Sequence, residues 1–119
     1  MAKKWYDLSE LKKHQFNYYA QAGEDGLLKY IFENIQPRCK FGVEFGAGGV
    51  MEKPRADGTN LKLFVNDFNW KTVMWENKPM NSPSSMKKYG IYSESVTVEN
   101  INNLFKKYDV PKDVDVVVI

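Results

Sequence analysis

The chain has 119 residues, and its 43% hydrophobic and 14% aromatic content is that of one folded domain, which excludes a disordered segment. Seventeen Lys and Arg against fifteen Asp and Glu give a formal net charge of +2. The lysines adjoin only in pairs, as at Lys87-Lys88, which is typical of solvated helix ends and predicts no nucleic-acid interface. One cysteine, Cys39, excludes an internal disulfide, and no His/Cys cluster predicts a metal site. With neither a signal-peptide pattern nor a transmembrane run, we expect a cytoplasmic protein without membrane association.

Residues 1–36 are predicted to form leading helices. Apolar residues in 5–20 follow an imperfect helical pattern that Asp7 or Ser9 would cap. The polar, glycine-containing segment 21–26 breaks this pattern. Five apolar residues then fall on one face of a second helix that ends before Pro37, namely Leu27, Leu28, Ile31, Phe32 and Ile35.

Residues 37–119 alternate between strand and helix patterns. Strands are predicted at Phe41–Phe45, Lys71–Glu76 and Val114–Ile119, with a short one within Tyr89–Val96. Helices are predicted at Leu61–Phe68, capped by Asp57 or Thr59, and at Val98–Tyr108, capped by Thr97. Residues 46–59 and 77–85 are predicted to be loops.

This alternation predicts an α/β fold with a Rossmann-like parallel sheet in a single domain, residues 1–119. The continuous β-branched residues of Val114–Ile119 are typical of a strand that is covered on both faces. Ligand-binding loops in such sheets follow the carboxyl ends of strands. Because the chain stops at such a strand, we expect it to be a fragment that is incomplete at its C-terminus.

The first strand leads into a glycine-rich turn at residues 46–49. Glycines there allow a sharp turn and let a ligand lie against the main chain. Met51 stands where a dinucleotide fingerprint has a third small residue, so the turn alone is a weak signal, and a simple connection is the alternative. Glu44, inside an apolar strand, is predicted to orient the loop or face a cation; an acid on an exposed edge strand is the alternative.

Glu76 ends the second strand and follows Gly48 by 28 residues, against the ~20 that usually separate a glycine turn from a ribose-binding acid. The long intervening loop accounts for the difference. A surface ion pair with Lys78 is the alternative role for Glu76. We interpret Trp70 and Trp75 as core residues rather than as platforms for an adenine ring.

Six short motifs occur in an order that resembles the FkbM-like family of S-adenosylmethionine-dependent methyltransferases. They are QAGEDG at 21–26, GVEFGA at 42–47, DGTN at 57–60, WENKP at 75–79, VENIN at 98–102 and VPKDVD at 110–115. The resemblance covers residues 18–119 and implies a class I methyltransferase fold. The chain departs from the family pattern in an insertion at residues 48–55 and in stopping before the family's later strands.

The resemblance implies S-adenosylmethionine as cofactor and a hydroxyl of a sugar or another small molecule as acceptor. Its cofactor-binding residues would be Gln21, Glu24, Asp25, Glu44, Gly46, Gly48, Asp57, Asn60 and Glu76. Glu76 would hold the ribose hydroxyls, and Gln21, Glu24 and Asp25 would lie near the methionine end. Methyl transfer mainly requires alignment of cofactor and acceptor, and no residue is predicted to be catalytic. We expect little or no methyl transfer by this chain.

Two other functions are open from the sequence. The first is a non-catalytic α/β domain that forms a homo-oligomer, in which a partner covers the edge strand Val114–Ile119. The second is an NAD-type dinucleotide-binding domain, which Met51 and Glu44 disfavour. Titration with S-adenosylhomocysteine and with NAD distinguishes these two ligands.

Overall fold

A computed structural model describes residues 3–20, 22–46, 59–79 and 81–119. It contains one four-stranded sheet in which every pairing is parallel, with strand order β3-β2-β1-β4. The strands are β1 (Phe41–Phe45), β2 (Lys71–Glu76), β3 (Ile91–Ser93) and β4 (Val116–Val118). The predicted parallel α/β architecture is therefore confirmed, including the short third strand.

Five helices surround this sheet in the described part of the chain. They are α1 (Leu8–Lys13), α2 (Glu24–Asn34), α3 (Lys62–Phe68), α4 (Pro83–Tyr89) and α5 (Ile101–Lys107). Residues of α2, α3 and α4 pack on one face of the sheet around Met74, and α5 packs on the other around Val73 and Trp75. The alternation of side chains along β2 thus supplies both cores.

Close packing between β1 and the start of α3 requires a glycine in the strand. A Cβ atom at Gly42 would lie 2.7 Å from Cδ1 of Leu61. Leu61 is fully buried, so the helix lies directly against the strand that leads to the glycine turn.

The first helix is shorter than predicted. Only Leu8–Lys13 is helical, because the segment that follows turns back towards α2. The buried carboxylate of Asp25 accepts hydrogen bonds from three successive backbone N–H groups, those of Tyr18, Tyr19 and Ala20. Helix α2 also begins earlier than expected, at Glu24, since Gly23 before it takes a left-handed conformation.

The prediction of a loop at residues 77–85 is wrong for its last three residues, because α4 begins at Pro83. Ser82 caps this helix, with its hydroxyl accepting a hydrogen bond from the N–H of Ser85 at 3.3 Å. Proline is favoured at the first helical position, where its missing N–H costs no hydrogen bond. The serines and proline that suggested a loop are instead the start signal of a helix.

Helix α5 begins at Ile101, three residues after the predicted start. Thr97 and Asn100 brace the preceding turn: the hydroxyl of Thr97 accepts from the Asn100 N–H at 3.1 Å, and the Asn100 side chain accepts from the Thr97 N–H at 2.7 Å. This reciprocal pair resembles a capping box and holds the turn, but the N-cap of α5 itself is Asn100 and not the predicted Thr97.

Strand β4 is shorter and more exposed than predicted. It spans Val116–Val118 and pairs with β1 alone in the described sheet. Val117 is 38% exposed and Ile119 is 95% exposed. The expectation of a strand covered on both faces is therefore wrong for this chain.

A single carboxylate joins the start of β4 to the turn before β1. Asp115 accepts hydrogen bonds from the N–H groups of Arg38, Cys39 and Phe41 at 2.6, 3.2 and 3.1 Å. Desolvation opposes ionisation of Asp115, but these N–H groups outweigh it and lower the pKa of the carboxyl group. Desolvation and the neighbouring Asp115 raise the pKa of the exposed Cys39 thiol, and a raised pKa is typical of an unreactive cysteine.

None of the helices in the described ranges is both long enough and apolar enough to cross a membrane.

Candidate functional site

The carboxyl ends of β1, β2 and β3 meet at one edge of the sheet. The N–H of Gly46 donates to the carbonyl of Trp75 at 2.8 Å, and the N–H of Glu94 donates to the carbonyl of Glu76 at 3.2 Å. The strand ends frame a cleft of about 330 Å³. Its lining residues are Phe45, Gly46, Trp75, Glu76, Asn77, Glu94, Ser95 and Val96. We call this the strand-end cleft.

Gly46 and Glu76 are the two predicted site residues that share this cleft. Gly46 has φ +62°, in the left-handed region that favours glycine. Among the described residues, no atom lies within 4 Å of the position that a Cβ atom at Gly46 would take. Glu76 is half-buried at the end of β2.

Aromatic rings form the inner wall of the strand-end cleft. The rings of Phe45 and Trp75 are 5.5 Å apart and inclined at 33°. Trp75 is only 1% exposed and also packs against Phe105 of α5, as expected for a core residue. Its indole Nε1 is buried and has no hydrogen-bond partner in the described structure.

Glu94 is a cleft residue that the sequence analysis missed. Its carboxylate accepts hydrogen bonds from Lys107 Nζ at 2.7 Å and from the Tyr108 hydroxyl, both at the end of α5. These two hydrogen bonds lower the pKa of Glu94. The sequence signal that could have identified Glu94 is an acid directly after a strand. Glu94 follows β3, as Glu76 ends β2.

The outer rim of the cleft is held by short polar contacts. Asn77 is fixed from two sides: its side-chain oxygen accepts from the Ser95 hydroxyl at 2.7 Å, and its carbonyl accepts from the Ser93 hydroxyl at 3.1 Å. The loop after β3 is thereby tied to the end of β2. The rim at Glu76 is consequently supported by neighbouring backbone.

Glu44 points away from the strand-end cleft and into the protein, where it is 3% exposed. Its carboxylate accepts the N–H groups of Asn60 and Leu61, each at 3.1 Å at the shortest, immediately before α3. Of its two predicted roles, orienting a loop is the one that these contacts support. The buried carboxylate needs hydrogen-bond donors, and the N–H groups at a helix start need acceptors. Each group therefore satisfies the other.

A second cleft lies on the other side of β1, against β4. It measures about 630 Å³ and is lined mainly by apolar residues of α2 and β4, with Glu24 and Asn60 as polar members. The side-chain Oδ1 of Asn60 is buried there without a hydrogen-bond partner in the described ranges. The structure thus brings Glu24 and Asn60 together, but places them apart from Gly46 and Glu76.

The remaining predicted residues do not line either cleft or cannot be placed. Asp25 is fully buried beneath the backbone of residues 18–20. Gln21, Gly48 and Asp57 lie outside the described residues. Within the described ranges, no group of three or more His, Cys, Asp or Glu side chains is arranged to hold a metal ion.

Lys62 is a second residue that the sequence analysis missed. It is 1% exposed in the first turn of α3, and its Nζ lies 5.1 Å from the centre of the Tyr19 ring. The position of Lys62 between Leu61 and Leu63 was the only sign in the sequence that this lysine is buried. Lysines in such positions usually extend to solvent.

Comparisons with protein-family models, curated proteins and solved structures found no match for this chain. A functional proposal therefore depends on the parallel sheet and on the residues at its edge.

Proposed function

We propose that this chain binds S-adenosylmethionine at the carboxyl edge of its sheet, as a methyltransferase-like domain with a Rossmann-like fold. The observation that supports the proposal most is the meeting of Gly46 and Glu76 in one cleft, at the ends of adjacent parallel strands. A glycine turn and an acid in these two positions are the combination that holds a ribose in dinucleotide-binding sheets.

The strand order β3-β2-β1-β4 also supports this proposal. The chain runs outward from β1 to β3 and then returns to the other side of β1, so the order reverses beside β1. Ligands of open α/β sheets bind at this reversal, outside the carboxyl ends of the strands. The strand-end cleft and the second cleft flank β1 at that position.

The size and lining of the strand-end cleft suit the nucleoside part of the cofactor. Its volume of about 330 Å³ is at the lower end of the range for small-molecule pockets. Phe45 and Val96 offer apolar walls to a flat base, and Glu76 offers oxygens to two ribose hydroxyls. No described residue would block a ligand from the backbone of Gly46.

The second cleft fits the other end of the same cofactor. Glu24 and Asn60 are polar groups in an otherwise apolar lining, and the Asn60 Oδ1 atom still lacks a donor in the described ranges. The amino group of the methionine moiety is such a donor. The bound cofactor would supply an electrophilic methyl group to a hydroxyl of a sugar or another small acceptor.

Calorimetry with S-adenosylhomocysteine tests the proposal, because this product analogue needs the cofactor site alone. Glu76→Ala is expected to weaken binding by about 1.5–3 kcal/mol, since it removes a charged acceptor of two hydroxyl groups. Glu99→Ala is the matched control, because it removes the same charge from an exposed position that lines neither cleft. Equal affinities of the Glu76→Ala variant and the parent chain would remove Glu76 from the site, and tighter binding of NAD would favour a dinucleotide-binding domain.

A second candidate function is self-association through β4. The observation that favours it is the apolar edge of the sheet, where Val117 and Ile119 are exposed beside the unpaired side of the strand. Exposed strand edges pair readily with other chains. This candidate concerns assembly and is compatible with cofactor binding at the strand-end cleft.

A further inference from the structure

The amino-terminal edge of the sheet, opposite the strand-end cleft, carries a polar groove of about 510 Å³ between β2 and the ends of α4 and α5. Four lysines line it: Lys71, Lys87, Lys88 and Lys107. Asp109 is the one acid among its described lining residues. We call this feature the lysine groove.

The four lysines differ in how their charge is balanced. Lys107 is paired with Glu94 at 2.7 Å. No ion pair holds Lys71, Lys87 or Lys88 within the described structure. Lys71 and Lys88 instead lie over aromatic rings, those of Phe41 and Tyr89, at 5.9 and 5.2 Å. The described lining of the groove therefore holds three lysines outside ion pairs and one acid, Asp109.

Helix ends explain a part of this positive charge. Lysines in the last turn of a helix stabilise its carbonyl end, which carries about half a negative charge. Lys87 and Lys88 both lie in the last turn of α4, where one lysine already exceeds that half charge. Lys71 belongs to a strand and serves no helix end. With Asp109 and both helix ends counted, an excess of about one positive charge remains in the groove.

We propose that the lysine groove binds a small soluble anion that carries two or more linked phosphate groups. An exposed lysine contributes little to binding a single charge and is screened by salt, so a lone phosphate would be held weakly. Lys71 and the Lys87-Lys88 pair reach the groove from different elements. An oligophosphate has several linked anionic groups to offer to the two sets, whereas inorganic phosphate has one. This inference does not depend on the proposed cofactor site.

Titration of the full chain with tripolyphosphate at low ionic strength, followed by calorimetry, tests the proposal. The double variant Lys87→Glu with Lys88→Glu is expected to bind at least about tenfold more weakly, because two attractions become repulsions. The control is Lys12→Glu with Lys13→Glu, which makes the same charge change in the last turn of α1. The control should keep the parent affinity, and circular dichroism establishes that both variants are folded.

Three results would overturn this assignment. They are no binding of tripolyphosphate by the parent chain, an equal loss of affinity in both double variants, and binding of inorganic phosphate as tight as that of tripolyphosphate.

Vesicles with anionic phospholipid and a single-stranded oligonucleotide serve as further probes. If the vesicles or the oligonucleotide bind more tightly than tripolyphosphate, and the Lys87/Lys88 variant loses that binding, the groove binds that partner and not a small anion. Retained S-adenosylhomocysteine binding in this variant would separate the groove from the cofactor site.

Discussion

Asp25 and Glu44 lie inside the protein with their oxygens turned to backbone N–H groups, whereas Glu76 lies half-buried at the rim of the strand-end cleft. All three were predicted from the sequence as cofactor-binding acids. The two inner acids hold chain segments in place: Asp25 holds residues 18–20, and Glu44 holds the start of α3. The comparison indicates that an acid beside a glycine-rich segment can hold the chain in place without lining a cleft.

The physical reason for this difference between the inner acids and Glu76 is that a buried carboxylate and buried backbone N–H groups both need hydrogen-bond partners. A buried carboxylate is costly without donors, and backbone N–H groups at a loop or helix start are costly without acceptors. Each inner acid solves both problems with one side chain. Mutations of the inner acids should therefore change the free energy of unfolding, and mutations of Glu76 should change ligand affinity.

The largest effect is expected for Asp25→Asn. The substitution places an amide NH₂ group against N–H donors and leaves part of a fully buried network unsatisfied, which should cost roughly 3 kcal/mol of unfolding free energy. Urea denaturation measures this loss. Glu24→Gln is the control, because Glu24 adjoins Asp25 on α2 but is only half-buried. A loss below that of the control would show that Asp25 does not hold the segment before α2.

Glu44→Gln should cost less, roughly 2 kcal/mol, because two backbone N–H groups depend on the carboxylate and the amide keeps one oxygen for them. Denaturation of Glu44→Gln and Glu76→Gln, side by side, sharpens the comparison between the inner and the rim acids. Glu76→Gln should unfold as the parent chain does and bind S-adenosylhomocysteine more weakly. A stability loss in Glu76→Gln as large as that in Glu44→Gln would abolish the distinction.

Asp115→Asn extends the comparison to a half-buried acid and should cost about 1.5 kcal/mol near neutral pH, since three N–H groups lose a charged acceptor. The folded pKa of Asp115 is lowered. Its contribution to stability is therefore present above the ordinary carboxyl pKa of about 4 and is lost as the pH falls towards the folded value.

The difference between Asp115→Asn and the parent chain should consequently shrink on acidification. Urea denaturation at several pH values between neutral and strongly acidic measures it. Asp113→Asn is the control, because it removes an exposed acid two residues away. A difference that stays constant down to strongly acidic pH would mean that the hydrogen bonds of Asp115 do not depend on its charge.

The parallel sheet was predictable because its signals are local. Apolar strands alternate with amphipathic helices, and this alternation itself favours parallel pairing. Helix α4 was missed because Ser82 and Pro83 occur both in loops and at helix starts, and the sequence does not say which applies. Strand β4 was predicted as covered from its β-branched residues, although cover depends on neighbours that no short segment specifies.

The site was predictable only in part, for a related reason. A glycine turn and an acid at the end of the next strand are local signals, and β1 and β2 place Gly46 and Glu76 in the same cleft. The direction in which Glu44 points depends on the N–H groups just before α3, which lie 16 and 17 residues further along the chain. The role of Asp115 depends on a turn 74 to 77 residues away. Such partners are tertiary, so the sequence analysis could not assign them.

The smallest effect on stability is expected at the exposed edge of the sheet, where Val117→Lys should change the unfolding free energy by about 0.5 kcal/mol or less. Its effect on assembly should be large. A lysine on an edge strand opposes pairing with another chain, because its charge would have to be buried between two sheets. We expect the parent chain to scatter light as an oligomer at micromolar concentration and the Val117→Lys variant to scatter as a monomer.

Val98→Lys is the matched control, since Val98 is 90% exposed and lies away from the strands. It carries the same substitution and should leave the oligomer intact. A monomeric parent chain would contradict self-association, and equal dissociation by both variants would mean that net charge, and not the β4 edge, governs assembly. Dissociation by Val117→Lys alone, with S-adenosylhomocysteine affinity unchanged, would separate the assembly surface from the acids that shape the site.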